Sequence, residues 1–185
     1  MEKVTKAIQF AAAAHDGMIR KKDKTPYILH PLEASVIVGS MTDDEDIICA
    51  ALLHDVVEDT DITIEAIEEN FGPRVRALVE SETEDKRADL PPEDTWKIRK
   101  EESLEDLAAC GDVAVQILWL GDKLSNMRAI SRDYAQLGDA LWQRVNQKEK
   151  AQHGWYYSGI AQCLAPLAGS AAYAEYTALV QKVFG

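Results

Sequence analysis

Apolar positions recur at three- and four-residue spacing along most of this chain, the period of helices that bury one face. Residues 2–16 show it first, with Val4, Ile8, Ala11, Ala12 and His15 in phase, until Gly17 weakens the helix and a polar loop follows. Pro31 is placed to open a second helix through Val38, ending near Gly39. Thr42 and Asp43 are the expected caps of the next one, with acidic residues in its first turn to complement the helix dipole. They lead into DIICAALLHDVVEDT, the most continuously apolar segment, which predicts a central buried helix even though its β-branched residues weaken that reading.

Further on, Thr63 is the expected cap of a short helix stopped by Gly72-Pro73, and another begins at Arg74. Residues 81–95 are charged and contain Pro91-Pro92, which predicts an exposed loop; residues 96–109 resume an amphipathic pattern. A long segment, DVAVQILWLGDKLSNMRAISRDY, is apolar in its first half and polar afterwards, and two more helices follow from Asp139, broken around 166–170. No repeat or linker divides the chain. The pattern predicts one all-α domain over 1–185, a bundle of roughly eight to ten helices.

Composition adds limits. A chain of 185 residues can bury a sizeable core without staples, and 46% hydrophobic with 28% charged residues is ordinary globular usage. Cys49, Cys110 and Cys163 are scattered and odd in number, which fits reduced thiols. The start has neither the apolar core nor the cleavage signature of a secretory signal, and no stretch approaches the ~18 apolar residues of a membrane span. The expectation is a cytoplasmic protein. Its net charge of −12 excludes a nucleic-acid polymer or an anionic membrane as a general partner. Any anionic ligand must then be held by local cations, and Arg20, Lys21, Lys22 and Lys24 crowd one stretch shortly before His30. A bare charge run is by itself equally a solvated loop.

Candidate chemistry concentrates at His54-Asp55, which closes the apolar run IICAALL. An Asp there is costly to bury unpaired, and a metal relieves that cost; a helix simply leaving the core also accounts for the pair. Glu58 and Asp59 each follow one turn later, so three carboxylates and an imidazole share neighbouring faces with no basic residue among them. Asp122 interrupts a second apolar stretch, with Asn126 at the same four-residue spacing. Two such helix edges are what a site shared between helices requires.

In order and spacing, TPYILHP, AALLHDVVEDT and LGDKLSNMR resemble the hydrolase domain of the RelA/SpoT alarmone enzymes within the HD phosphohydrolase superfamily, and the chain is most similar to the stand-alone small alarmone hydrolases. The resemblance covers residues 7 to about 130 and, more loosely, WYYSGIAQCL; the helices from about 139 to 185 lie beyond the motifs. It implies an HD-domain bundle with a metal held by His30, His54, Asp55 and Asp122. It further implies Glu58 and Asp59 as the catalytic acidic pair, with Arg20, Lys21 and Asn126 near the substrate. Residues 56–121 hold no histidine, whereas many dinuclear relatives place metal-binding histidines in that interval, which points to a single ion. His15 and His153 are assigned to structure, as are the four tryptophans and Tyr156-Tyr157.

Two imidazoles and two carboxylates leave open positions for water and substrate and suit manganese better than a closed zinc site; the preference for Mn²⁺ comes from the resemblance. The implied activity is hydrolysis of guanosine 3′,5′-bis(diphosphate), or its 5′-triphosphate form, to GDP or GTP and pyrophosphate. The chain is expected to degrade this alarmone and not to make it. Two departures bear on substrate: KKDKT lacks the usual loop glycine, and Lys123-Leu124-Ser125-Asn126 stands where the family often has Arg-Leu-His-Asn. Lys123 keeps the charge without the planar fork, so no bidentate phosphate contact carries over to it. Three other readings stay open on sequence: an HD phosphohydrolase for another nucleotide, a catalytically inactive nucleotide-binding HD module, and a purely structural helical domain.

Overall fold

A computed structural model describes residues 2–20, 25–85, 87 and 89–185. Its described residues form ten α-helices and two short 3₁₀ segments, with a single isolated β-bridge between Ile19 and Pro26. None of these helices is long and apolar enough to cross a membrane. The chain divides into two compact units, one formed by residues up to Thr83 with Asp112–Ser125, the other by Glu84–Gly111 with Asn126–Gly185.

The first unit contains α1 (Glu2–Ala14), α2 (Leu29–Gly39), α3 (Glu45–Leu53), α4 (Val56–Asp59), α5 (Ile64–Phe71) and α6 (Pro73–Glu80). The first half of α8 (Val113–Leu137) completes it. At its centre is α3, where Ile47, Cys49, Ala50, Ala51, Leu52 and Leu53 are all buried. A helix apolar nearly all round must be enclosed, and α1, α2 and α6 pack against it. The cap of α3 is Asp44, whose side chain accepts from the Asp46 N–H, and not Thr42 or Asp43. Thr42 instead accepts from the Asp44 N–H, a turn one step before the helix.

The predicted continuous helix over DIICAALLHDVVEDT is two helices, interrupted at His54-Asp55. The His54 ring Nδ1 lies 2.9 Å from the Ala51 carbonyl, the acceptor that an unbroken ladder would reserve for a backbone N–H. Thr63 caps α5 as expected, accepting from the Ala66 N–H. Gly72 then turns the chain at φ 90°, left-handed backbone open to glycine, and Pro73 starts α6 at its first position. Pro31 does not open α2, which begins two residues earlier.

The second unit holds α7 (Pro92–Ala109), the rest of α8, α9 (Lys150–Cys163) and α10 (Ala171–Phe184). Starting at Pro92, α7 shortens the predicted exposed loop, burying Thr95 and Trp96; Glu82, before it, is buried in the first unit. His153, assigned to structure, is buried on α9: its ring stacks on Trp142 at 4.9 Å and its Nε2 meets the Gln147 carbonyl at 2.9 Å. Trp155 is partly exposed with the Lys97 ammonium over its ring, a packing role.

Candidate metal centre

Three side chains from distant stretches meet inside the first unit. His30 stands in the first turn of α2, His54 at the end of α3 and Asp122 in the first half of α8. One ligand-type atom of each lies within 4.8 Å of the others. His30 Nε2 is 2.9 Å from Asp122 Oδ1, and His54 Nε2 is 3.5 Å from the same oxygen. Asp55 joins them: its Oδ2 is 3.5 Å from His30 Nε2 and 3.2 Å from His54 Nε2.

Gly121 explains how α2 and α8 come so close. A Cβ there would stand 2.5 Å from Val38 Cγ2 and 3.1 Å from the Ala34 carbonyl oxygen. With only hydrogen at Gly121, α8 lies against the helix that carries His30, and Asp122 is the next residue.

Neighbouring groups orient the four. Because a carbonyl only accepts, the Ala51 oxygen holds the proton on His54 Nδ1 and leaves Nε2 facing the carboxylates. That Nε2 is buried, with Asp55 Oδ2 3.2 Å away. The Tyr27 hydroxyl donates to Asp55 Oδ2 at 2.7 Å. Burial, and then the carboxylates of Asp55 and Asp59, push the Tyr27 phenol far above its usual range, so it remains a donor. Asp122 Oδ2 contacts the Lys123 ammonium, which also lies 3.5 Å from Glu82 Oε1 and 4.5 Å above the Trp119 ring. Oδ1 is thereby the Asp122 oxygen turned to the imidazoles.

Electrostatics favour a cation here. Burial opposes charging His54, yet Asp55 and Asp122 outweigh it and raise its pKa well above the ordinary value. Burial likewise works against ionised Asp55 and Asp122, but the imidazoles, with Lys123 beside Asp122, hold both carboxyls below the usual range. Two ring nitrogens, each within 3.5 Å of the same two carboxylate oxygens, make a mixed donor set that fits a divalent ion.

The HD domain family matches residues 7–150. The chain belongs to the HD-domain family. Within it, the chain is 42% identical over 133 residues to the guanosine-3′,5′-bis(diphosphate) 3′-pyrophosphohydrolase MESH1 of Xenopus tropicalis, covering 70% of each. It is 38% identical over 129 residues to the enzyme of that activity from Aquifex aeolicus, but spans only 18% of that protein's length. Among solved structures it is similar to a metazoan ortholog of SpoT that hydrolyses ppGpp, with TM-score 0.74, 29% identity, and coverage of 100% of this chain and 94% of that one.

Around this HD centre the other expected residues are placed unevenly. Glu58 and Asp59 both lie on α4, immediately after the HD pair, Glu58 half-buried and Asp59 exposed. A 2.9 Å bond from the Asp59 N–H to the Asp55 carbonyl keeps the helical turn between them, so Asp59 does follow Asp55 on one face. Arg20 is half-buried where the chain returns to α2, its N–H bonded to the Thr25 carbonyl at 2.8 Å. Lys21 lies outside the described residues, and Asn126 falls in the second unit on the continuation of α8.

Four residues near the HD centre have partners there that sequence reasoning did not assign to them. Tyr27 was inside the PYILHP block, where its hydroxyl was a visible signal. Glu33 follows His30 by three residues on the same helix, and Ser125 follows Asp122 by three. Glu82 had no signal at all, since it sits in a run of charges that reads as solvated.

Proposed function

We propose that this chain is a metal-dependent phosphohydrolase that removes the 3′-pyrophosphate of guanosine 3′,5′-bis(diphosphate) or its 5′-triphosphate form. Water adds at the 3′ P–O bond, leaving GDP or GTP with a free 3′-hydroxyl, and releasing pyrophosphate. The observation that carries this reading is the meeting of His30, His54 and Asp122 within 4.8 Å in a chain so similar to MESH1. His30, His54, Asp55 and Asp122 would hold one divalent ion, and Mn²⁺ is the ion that the family resemblance implies. Such an ion, when bound, acidifies water and neutralises charge on a phosphoryl oxygen.

The chain's own residues do the rest. Tyr27 fixes Asp55 through its hydroxyl. Glu58 and Asp59 hold and move the proton between the attacking water and the 3′-oxygen. Lys123 is committed to Asp122 and Glu82, so holding the phosphates falls to the basic stretch with Arg20 and Lys21, and Arg20 is the guanidinium to stack on guanine. In this reading residues 1–185 work as one HD-type hydrolase domain in a reducing cytoplasm.

The test is to incubate the Mn²⁺-loaded protein with guanosine 3′,5′-bis(diphosphate) and assay pyrophosphate. Orthophosphate released from nucleoside monophosphates, with no pyrophosphate from the alarmone, overturns the substrate. Replacing Glu58 by Gln is expected to lower turnover roughly 10²- to 10⁴-fold with an unchanged circular dichroism spectrum. Wild-type turnover in that variant removes Glu58 from the mechanism.

A further inference from the structure

His30 reaches the cluster through Nε2, and its other ring nitrogen is held by a relay that no part of the motif resemblance accounts for. Nδ1 is 2.9 Å from the Ser125 hydroxyl oxygen, and that hydroxyl donates to Glu33 Oε2 at 2.7 Å. All three residues belong to the first unit, and His30 and Ser125 are buried. Ser125 sits one turn of α8 beyond Asp122, and Glu33 one turn of α2 beyond His30. The relay therefore ties together the two helices that bring His30 and Asp122 to 2.9 Å.

The direction of the relay follows from counting protons. A serine hydroxyl has one, and a carboxylate can only accept, so the proton of Ser125 is committed to Glu33. Towards His30 the hydroxyl can then only accept, which requires the ring proton to be on Nδ1. Nε2 is then the nitrogen turned to Asp122 Oδ1 and Asp55 Oδ2, where a bound ion would replace any proton it shares with Asp122. His54 reaches the same tautomer through the Ala51 carbonyl. The two histidines thus present like nitrogens through different devices, one a backbone carbonyl and the other a side-chain relay.

We infer that Ser125 and Glu33 are positioning residues that hold His30 in the Nδ1–H tautomer with Nε2 directed at a metal ion. The assignment rests on the metal-holding role proposed above for His30. Outer partners of this kind typically change metal affinity about 10- to 100-fold when removed. Ser125→Ala takes away the acceptor for Nδ1–H. Glu33→Ala acts differently: it frees the Ser125 proton, so the hydroxyl can turn and donate to Nδ1, driving the ring to the Nε2–H tautomer.

Two measurements test this. In the metal-free protein, ¹⁵N NMR of the imidazoles is expected to show a proton on His30 Nδ1 in wild type. In Glu33→Ala, Nδ1 should lose that proton and accept from the Ser125 hydroxyl. A wild-type His30 with no proton on Nδ1, or one that keeps it in Glu33→Ala, overturns the relay. Titration with Mn²⁺ alone, followed by calorimetry, is expected to show affinity weakened roughly 10- to 100-fold in Ser125→Ala and less in Glu33→Ala. Unchanged affinity in both variants overturns the positioning role. If the buried Ser125→Ala variant does not fold, Glu33→Ala and the wild-type spectrum still decide the question. Wild-type protein that binds no Mn²⁺ sinks the metal reading and the positioning role with it, while the tautomer independently decides the relay.

Discussion

Glu82 shows how far one residue's chemistry can depart from what its neighbours in sequence suggest. It lies in a run of charges, yet is 6% exposed, beside Asp122 and 3.5 Å from the Lys123 ammonium. Burial is the main cause pushing its carboxyl up to about 8; the Asp122 carboxylate adds to this and Lys123 opposes it. A raised carboxyl pKa means that the native state holds the proton more tightly than the unfolded chain. The resulting stability is fully present below the ordinary value of 4.5 and is lost as pH rises through about 8. Glu82→Gln copies the protonated shape without that dependence. In the metal-free protein the variant should therefore gain in melting temperature relative to wild type between pH 5 and pH 9. Parallel stability curves for the two proteins across that range would show that Glu82 ionises as an ordinary carboxylate.

Among the elements, the contact of α2 with α8 decides whether there is a site at all. Ala in place of Gly121 brings a helix-propensity gain of about 1 kcal/mol. Against it, the new methyl carbon would stand 2.5 Å from Val38 Cγ2 and 3.1 Å from the Ala34 carbonyl oxygen. Overpacking of this kind typically costs about 1–3 kcal/mol, and the backbone oxygen cannot swing aside. Gly121→Ala is expected to melt a few degrees lower and to bind Mn²⁺ more weakly, because α2 and α8 must part between His30 and Asp122. A variant more stable than wild type with unchanged metal affinity would show that the approach is not tight. The interruption at His54-Asp55 is a second element-level device, since the His54 ring takes a carbonyl that the helix ladder would use.

At the scale of the whole molecule, each compact unit has its own core and its own polar ties. In the second unit Arg128 on α8 meets Glu175 on α10 through two bonds of 2.6 and 2.7 Å. The guanidinium holds the Glu175 carboxyl below its usual range. A lowered carboxyl pKa contributes stability above the unfolded value, lost as pH falls through the folded one. The Glu175 side chain is 42% exposed, so solvent screening limits the pair to about 1 kcal/mol at most. Glu175→Gln should melt slightly below wild type at pH 7, with the gap closing under acid conditions below the ordinary carboxylate range; a gap that widens in acid rules this account out. The first unit carries the proposed metal ligands and acidic pair.

Much of this molecule is legible in one dimension because helices are local. Period, prolines and caps such as Thr63 and Pro73 act within one or two turns, so the all-α class and most helices follow from the sequence, with ends off by a few residues. Motif order likewise singles out His30, His54, Asp55 and Asp122 as a set. Tertiary structure alone decides their distances, which oxygen of Asp122 faces inward and which nitrogen of His30 carries a proton. Those depend on side chains far apart in the chain: Ser125 with His30, Tyr27 with Asp55, and Lys123 with Glu82. Burial decides the rest. Burial makes Glu82, one residue of a charged run, a neighbour of Asp122 with a raised carboxyl pKa, and no pattern of charges in the sequence records how much water a folded carboxylate will keep.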